Sequence, residues 1–419
     1  MLVVSLLLAC PQAPPGDTDT TLASTGATQA STGGSDSGEA PTTGGPVSPP
    51  CLGPDGISRW TSVWDGGEMK ADVAGDVAQD ADGMLYVAGR AYHAVGSDAL
   101  VRKLDPSGNE VAKFVGPSNS MVGKLHVDID VDGSVYVGSS DEPLMEEPAR
   151  ALVYKHDADG GLVWTFMQGG ELFTGSYNIH GLAARDGHLF VVGKRGVEEQ
   201  APAYLQRLDP ADGAVIWTKE FPAGTIAELS LAIEPGGDPL LGGTVRDPDD
   251  GYVPFVARHA AADGSEVWRR THGDGRETHL FGIALNAGGD IAVAGYVVNP
   301  MEGVQDFSWN DMVTMRLTPD GELVWRDEVD TAMDRDVASD VAWSPSGEIY
   351  VAGHVTAGAD PISAFVARYE GDGERCWTSI HDGFSSADAL VVSGTQVVSV
   401  GGVVIGQDPD DQLIRAFEP

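Results

Sequence analysis

Two stretches gather acidic side chains at spacings that suit a hard cation. Asp247-Pro-Asp249-Asp250-Gly251 and Asp408-Pro-Asp410-Asp411 cluster carboxylate oxygens on turn-forming sequence, the donor type that calcium takes. The alternative is a solvated acidic loop. Asp128, Asp130 and Asp132 alternate in the same way, but they lie in a strand-turn segment that commits part of their geometry. The ten histidines are scattered: none forms a His-x-x-x-His pair or a Cys/His set with zinc spacing. No Gly-x-Ser-x-Gly elbow or phosphate-cradling loop occurs. A nucleophile or an acid–base dyad would therefore have to assemble from distant parts of the chain.

What would position such groups is a repeat. Seven Asp-Gly turns carry glycines at 56, 108, 160, 213, 264, 321 and 373, separated by 52, 52, 53, 51, 57 and 52 residues. Four residues after each glycine stand Trp60, Trp164, Trp217, Trp268, Trp325 and Trp377, with Ala112 in the remaining copy. A fixed period near fifty marks a repeat architecture. Each period holds short β-branched or aromatic runs bounded by Gly and Asp, which read as antiparallel strands joined by tight turns. Four strands per period make one propeller blade. The last period, from about Ala387 to Pro419, lacks its turn and Trp strand, and these stand at the front as Pro54 to Trp64. The expected fold is all-β: a seven-bladed β-propeller over 53–419 with four-stranded antiparallel blades, the N-terminal strand completing the seventh and closing the ring.

The Asp-Pro-(x)-x-Gly-x-x-x-Trp pattern resembles the tryptophan-docking repeat of quinoprotein-like propellers, including the outer-membrane assembly lipoprotein of that shape. Val77 to Gly89 and Asp98 to Gly108 are similar to bacterial SBBP-type propeller repeats. The resemblance covers residues 53–419 and is specific for fold, while propellers host many unrelated activities. It raises a quinone cofactor, a tricarboxylate that such enzymes hold with bases, a divalent cation and a vicinal disulfide ring. This chain has no adjacent cysteines, seven units rather than eight, and few bases, so no cofactor is expected beyond calcium in the acidic loops. Recurrence of the six tryptophans at one position points to packing between blades rather than ligand platforms, and Ala112 is expected to leave its boundary looser.

Aligning each innermost strand on its first apolar residue places Asp76, His126, Gly181, Ser230, Gly282, Asp340 and Asp388 at one position. Strand alternation sends that position towards the central channel, as a hydrated lining or a ligand site. On the rim opposite the Asp-Gly turns lie loops 90–98, 139–150, 194–202, 244–253, 296–311, 354–363 and 403–411. They hold 17 Asp or Glu against five Lys or Arg. Variable loops on a rigid scaffold are where binding usually resides. The longest carries Met301, Phe307 and Trp309, as a tucked anchor or an exposed contact.

The apolar run in residues 1–9 ends in Leu7-Leu8-Ala9-Cys10, which resembles the lipobox of bacterial lipoproteins, where the Cys carries diacylglyceride. No Lys or Arg precedes the run and it is short for an export signal, so the expected start lies upstream. The alternative is a short buried strand with a chance Cys. Residues 11–50 contain 27 Ser, Thr, Gly or Pro among 40, with no aromatic and no base. They cannot bury enough surface to offset backbone entropy, so 10–52 is expected to be a lipidated Cys with a disordered linker. Cys51 and Cys376 remain as an even pair in an exported setting, expected as a disulfide. Two free thiols are the alternative.

The formal net charge of −38 repels phosphate backbones and excludes nucleic acid as a partner. The whole points to a monomeric, lipid-anchored propeller of the bacterial envelope, at the outer membrane or cell surface. It would act as a non-catalytic binding or scaffolding module with an envelope protein or glycan as partner. A lyase or hydrolase at the channel mouth, and a structural surface protein without a discrete ligand, are the rival readings.

Overall fold

The Asp-Gly turns set the local geometry. Asp105 Oδ1 accepts the backbone N–H groups of Ser107 and Asn109, each at 2.9 Å, and Gly108 closes the turn at φ +85°, a region that favours glycine. The same Asp-to-N–H bonds recur at Asp80 and Asp157. Strands leave these turns as antiparallel neighbours. The computed structural model describes residues 20–21, 56–65, 72–93, 96–116, 120–143, 148–169, 176–196, 201–247, 251–300, 308–331, 335–356, 362–381, 383–404 and 411–419.

These residues form a seven-bladed propeller. Blade one runs from the innermost strand Val73–Gln79 to the outer strand Glu110–Val115, and blade two from Ser120–Ile129 to Leu162–Gly169. Blade three spans Tyr177–Arg185 to Val215–Glu220, and blade four Ile226–Ile233 to Glu266–Thr271. Blade five spans Thr278–Leu285 to Leu323–Val329, and blade six Val337–Trp343 to Arg375–His381. Blade seven takes Ala389–Val392, Val397–Val403 and Asp411–Phe417 from the C-terminus. Its fourth strand is Ser58–Trp64, paired antiparallel with Asp411–Phe417. The ring closes as the split seventh repeat requires.

The core is not one body but seven. One apolar cluster fills each blade boundary, as where Val77, Val87 and Leu104 of blade one meet Val398, Ile414 and Ala416 of blade seven. Both faces of the middle strands are covered, so Val397–Val403 and Asp411–Phe417 are buried at every residue. Continuous apolar runs replace alternation wherever a sheet is packed on two sides.

Each repeat tryptophan packs on the turn glycine of the next blade. The ring of Trp217 lies against Gly264, Trp268 against Gly321, and Trp325 against Gly373. Trp377 lies against Gly56 and Trp60 against Gly108, so the docking series runs through the closure without a break. A Cβ on these glycines would press into the indole. Trp164, Trp217 and Trp325 also donate their indole N–H to Pro210, Ala261 and Gly371 carbonyls at 3.1, 2.9 and 3.0 Å. The boundary expected to be loose at Ala112 is closed by another residue. Phe114, two positions on, turns its buried ring onto Gly160 and stacks on His156 at 5.6 Å.

Candidate functional site

The innermost strands enclose a central cavity of about 500 Å³. Asp76, His126, Gly181, Ser230, Gly282, Asp340 and Asp388 all line it. Asp76 stands opposite Ala88 and Asp340 opposite Ala352, whereas the residue opposite Val400 in blade seven is Ala389. Asp388 therefore sits one residue ahead of the aligned position, a correction to the register in that blade.

Lys124, Asp128, His180, Arg185 and Phe281 also line the cavity; alternation from His126 and Gly181 accounts for Lys124, Asp128 and Arg185, but not for His180 and Phe281. The innermost strands carry bulges, between Ile179 and Gly181, between Leu280 and Gly282, and between Val122 and Leu125. A bulge places two successive residues on one side of a strand, so His180 joins Gly181, and Phe281 joins Gly282. The only signal for these residues is their adjacency to the aligned positions.

Asp340, Asp388 and Asp76 come from blades six, seven and one, and Lys124, His126, Asp128 and His180 from blades two and three. The three best-placed carboxylates are tied to the backbone of the next blade. Asp76 accepts from its own strand at Val77 N (2.8 Å) and across the boundary from Val127 N (2.9 Å). Asp128 accepts from Ile129 N and Ala184 N, each at 2.8 Å, and Asp340 from Val341 N and Leu390 N at 2.8 and 2.9 Å. Burial pushes the Asp76 carboxyl up to about 7, with Asp340 adding repulsion. Burial likewise pushes Asp128 and Asp340 up to about 6, and Asp388 upward. It pushes His180 down to about 4 and His126 well below its ordinary value. His126 Nδ1 lies 3.9 Å from Asp76 Oδ2. The lining is thus a set of groups that burial drives towards neutrality.

The repeat signature and this ring together decide the family. A family model described as outer membrane protein assembly factor BamB matches residues 149–415. The chain belongs to this family.

Among solved structures, the BamB-family ring is similar to the quinohemoprotein alcohol dehydrogenase of Comamonas testosteroni, at 12% identity and a TM-score of 0.54 over 87% of this chain and 76% of that one. It is similar to the hydrazine synthase of Kuenenia stuttgartiensis, at 11% identity and a TM-score of 0.54 over 85% of this chain and 99% of that one. Polysaccharide lyase Uly1 gives 12% identity and a TM-score of 0.50 over 82% and 90% of the two chains. Likeness at this identity shows the propeller alone. No curated protein matches the chain.

The BamB-family channel does not suit a quinone tricarboxylate. Asp76, Asp128, Asp340 and Asp388 line the same cavity as Lys124 and Arg185, so carboxylates outnumber the bases a polyanion needs. Asp247 ends a strand, while Asp249, Asp250, Asp408 and Asp410 lie outside the described residues. Asp411 turns inward and groups with Asp65 and Asp72, their carboxylate oxygens within 4.8 Å of one another. Asp72 takes the Tyr92 N–H at 3.0 Å, and Asp336 makes the same bond to Thr356 N in blade six at 3.1 Å. The placement of Asp72 thus follows a blade motif. Asp130 Oδ2 accepts from Gly187 N and Asp132 Oδ1 from Ser134 N, so the alternating carboxylates serve turns and blade contacts. Trp309 lies on the strand Ser308–Leu317 opposite Asn299, not on a loop, while Met301 and Phe307 lie outside the described residues. Cys376 is disulfide-bonded; Cys10 and Cys51 lie outside the described residues.

Proposed function

We propose that this BamB-family propeller is a non-catalytic binding module of the bacterial envelope. A lipid on Cys10 carries it, and its acidic loop rim engages an envelope protein or glycan. One observation carries the reading: both oxygens of Asp76, Asp128 and Asp340 accept backbone N–H groups, so the channel carboxylates are committed to joining blades. The family description supports the envelope setting. A rigid ring with variable, acidic loops supplies a surface whose shape does not depend on the partner.

The test is site-specific photo-crosslinking in living cells. Probes at Arg195 and Asp247 face the loop rim, and probes at Asp82 and Asp159 sit on the Asp-Gly rim. Adducts with one envelope component from the loop rim alone are expected. Adducts from both rims equally, or from neither, would overturn the reading.

The rival is an enzyme at the channel, favoured by the raised Asp76 carboxyl 3.9 Å from His126 in a cavity. Under that reading Asp76→Asn abolishes turnover while the crosslinks persist.

A further inference from the structure

The outer strand of each blade is a sheet edge, and six of the seven look alike. Val111, Val163, Ile216, Val267 and Val324 on blades one to five, and Val63 on blade seven, are all exposed. Most of these edges also carry charge, such as Lys113, Lys219, Arg270 and Glu328, which discourages strand addition.

Blade six differs in two respects. No residue of Arg375–His381 is exposed: Trp377 keeps 8% of its surface and Ser379 1%. Its centre, Cys376 to Ile380, carries no charge, which it shares with the blade-two edge Leu162–Gly169. A two-residue strand, Thr20–Thr21, pairs with it antiparallel, Thr20 opposite Ile380 and Thr21 opposite Ser379, making a five-stranded sheet. Cys376 on the same strand is disulfide-bonded, and the only other cysteines are Cys10 and Cys51. Both precede the propeller, so either partner ties the N-terminal segment to this edge, and a Cys10 whose sulfur carries lipid leaves Cys51 as the partner.

We propose that blade six is the docking blade for the chain's own N-terminal segment, which adds around Thr20–Thr21 as a fifth strand and is locked there through the Cys376 disulfide. Two residues of pairing are weak in isolation. The addition is intramolecular in any case, and the covalent bond shortens the loop that must close and so raises the effective concentration further. Taken with the lipid-anchored reading, on which this consequence rests, docking shortens the linker. Forty flexible residues reach roughly 35 Å, whereas the ten from Cys10 to Thr20 reach about 17 Å. The ring would then be held close to the membrane with blade six nearest to it.

Hydrogen exchange read by mass spectrometry on the full chain tests docking whether or not lipid is attached, so the two readings can fail separately. In the oxidised chain, amides of Arg375–His381 should exchange at least tenfold more slowly than those of Leu162–Gly169, the uncharged edge of blade two. Thr20→Pro with Thr21→Pro removes two N–H groups from the added strand and should abolish that difference, leaving 162–169 unchanged. A dithiol that gives two electrons and two protons to the disulfide, closing to its own cyclic disulfide, should also speed exchange at 375–381. Equal exchange at the two edges in the oxidised chain, or no change with the prolines, would overturn the docking. Protection that survives reduction would overturn the lock.

Discussion

At the scale of single residues, the channel works by denying charge. Asp76 keeps about a quarter of its side chain open to the cavity, yet burial and Asp340 raise its carboxyl from 3.8 to about 7. Its folded pKa lies above its unfolded one, so between about 4 and 7 the folded state binds the proton more tightly. That contribution is complete at the acid end and is lost as pH rises through 7. His126 and His180 act in the opposite sense. Burial lowers them, and their contribution is present above 6.5 and lost as pH falls. Subtracting a variant isolates one group. Asp76→Asn loses a bond to Val127 N at every pH but no longer has a charge to bury. Its melting temperature relative to the parent should rise from pH 5 to pH 8, and a flat difference would show that Asp76 is not desolvated. Why the sequence reveals only part of this site is plain from the residues. Asp76 and Asp340 stand in near-identical runs, Val-Ala-Gly-Asp-Val-Ala and Val-Ala-Ser-Asp-Val-Ala, so their equivalence can be read directly. His180 and Phe281 reach the same cavity through bulges, which break the period-two rule from which facing is read.

At the scale of elements, the blade boundary depends on one aromatic ring set on one glycine. The boundary between blades one and two uses Phe114 on Gly160 where the others use tryptophan. Phe114 is 7% exposed and belongs to the apolar cluster that joins those blades. Phe114→Ala should therefore cost about 3–5 kcal/mol, as for other buried aromatics. Trp217→Ala, which also loses the bond to Ala261, should cost a similar amount. Ala112 occupies the tryptophan position and packs, only partly buried, against the cluster that holds Phe114, so Ala112→Ser should cost much less, about 1 kcal/mol or under. Denaturant midpoints of the three variants measure this directly. If Ala112→Ser destabilised as much as Phe114→Ala, the substitution of one docking residue by another would be refuted. The glycines of the second strands are set by the same economy of space. A Cβ at Gly295 or Gly353 would overlap the carbonyl of His279 or Val337, where the bulged inner strand presses against its neighbour. Gly is required there for close approach, not for turning.

At the scale of the whole molecule, closure joins the two ends of the propeller. Ser58–Trp64 contributes a full ladder to blade seven, its turn seats Trp377 on Gly56, and its own Trp60 docks on Gly108. The ion pair at the joint, Arg59 with Glu418 at 2.9 Å, is exposed on both sides and of a kind worth about 0–1 kcal/mol. Deleting 56–65 should therefore leave the otherwise buried strand Asp411–Phe417 as an unpaired edge, and size-exclusion chromatography should show aggregation. Arg59→Ala should remain monodisperse with a melting temperature within a degree or two of the parent. A monomeric, cooperatively folded deletion would mean that six and three-quarter blades suffice.

The sequence by itself determined the number of blades, the strand that closes them and the docking tryptophans. Each of these is read from a local pattern repeated seven times, with tryptophan in six of the copies, and repetition separates signal from chance. Tertiary structure alone decided that His180 and Phe281 join the channel. It also brought Phe114 into the vacant docking place, gathered Asp411 with Asp65 and Asp72, and set Thr20–Thr21 against blade six. These depend on bulges and on contacts between segments tens or hundreds of residues apart. Such contacts follow from how backbones pack once the ring has closed, and no periodicity along the chain encodes them.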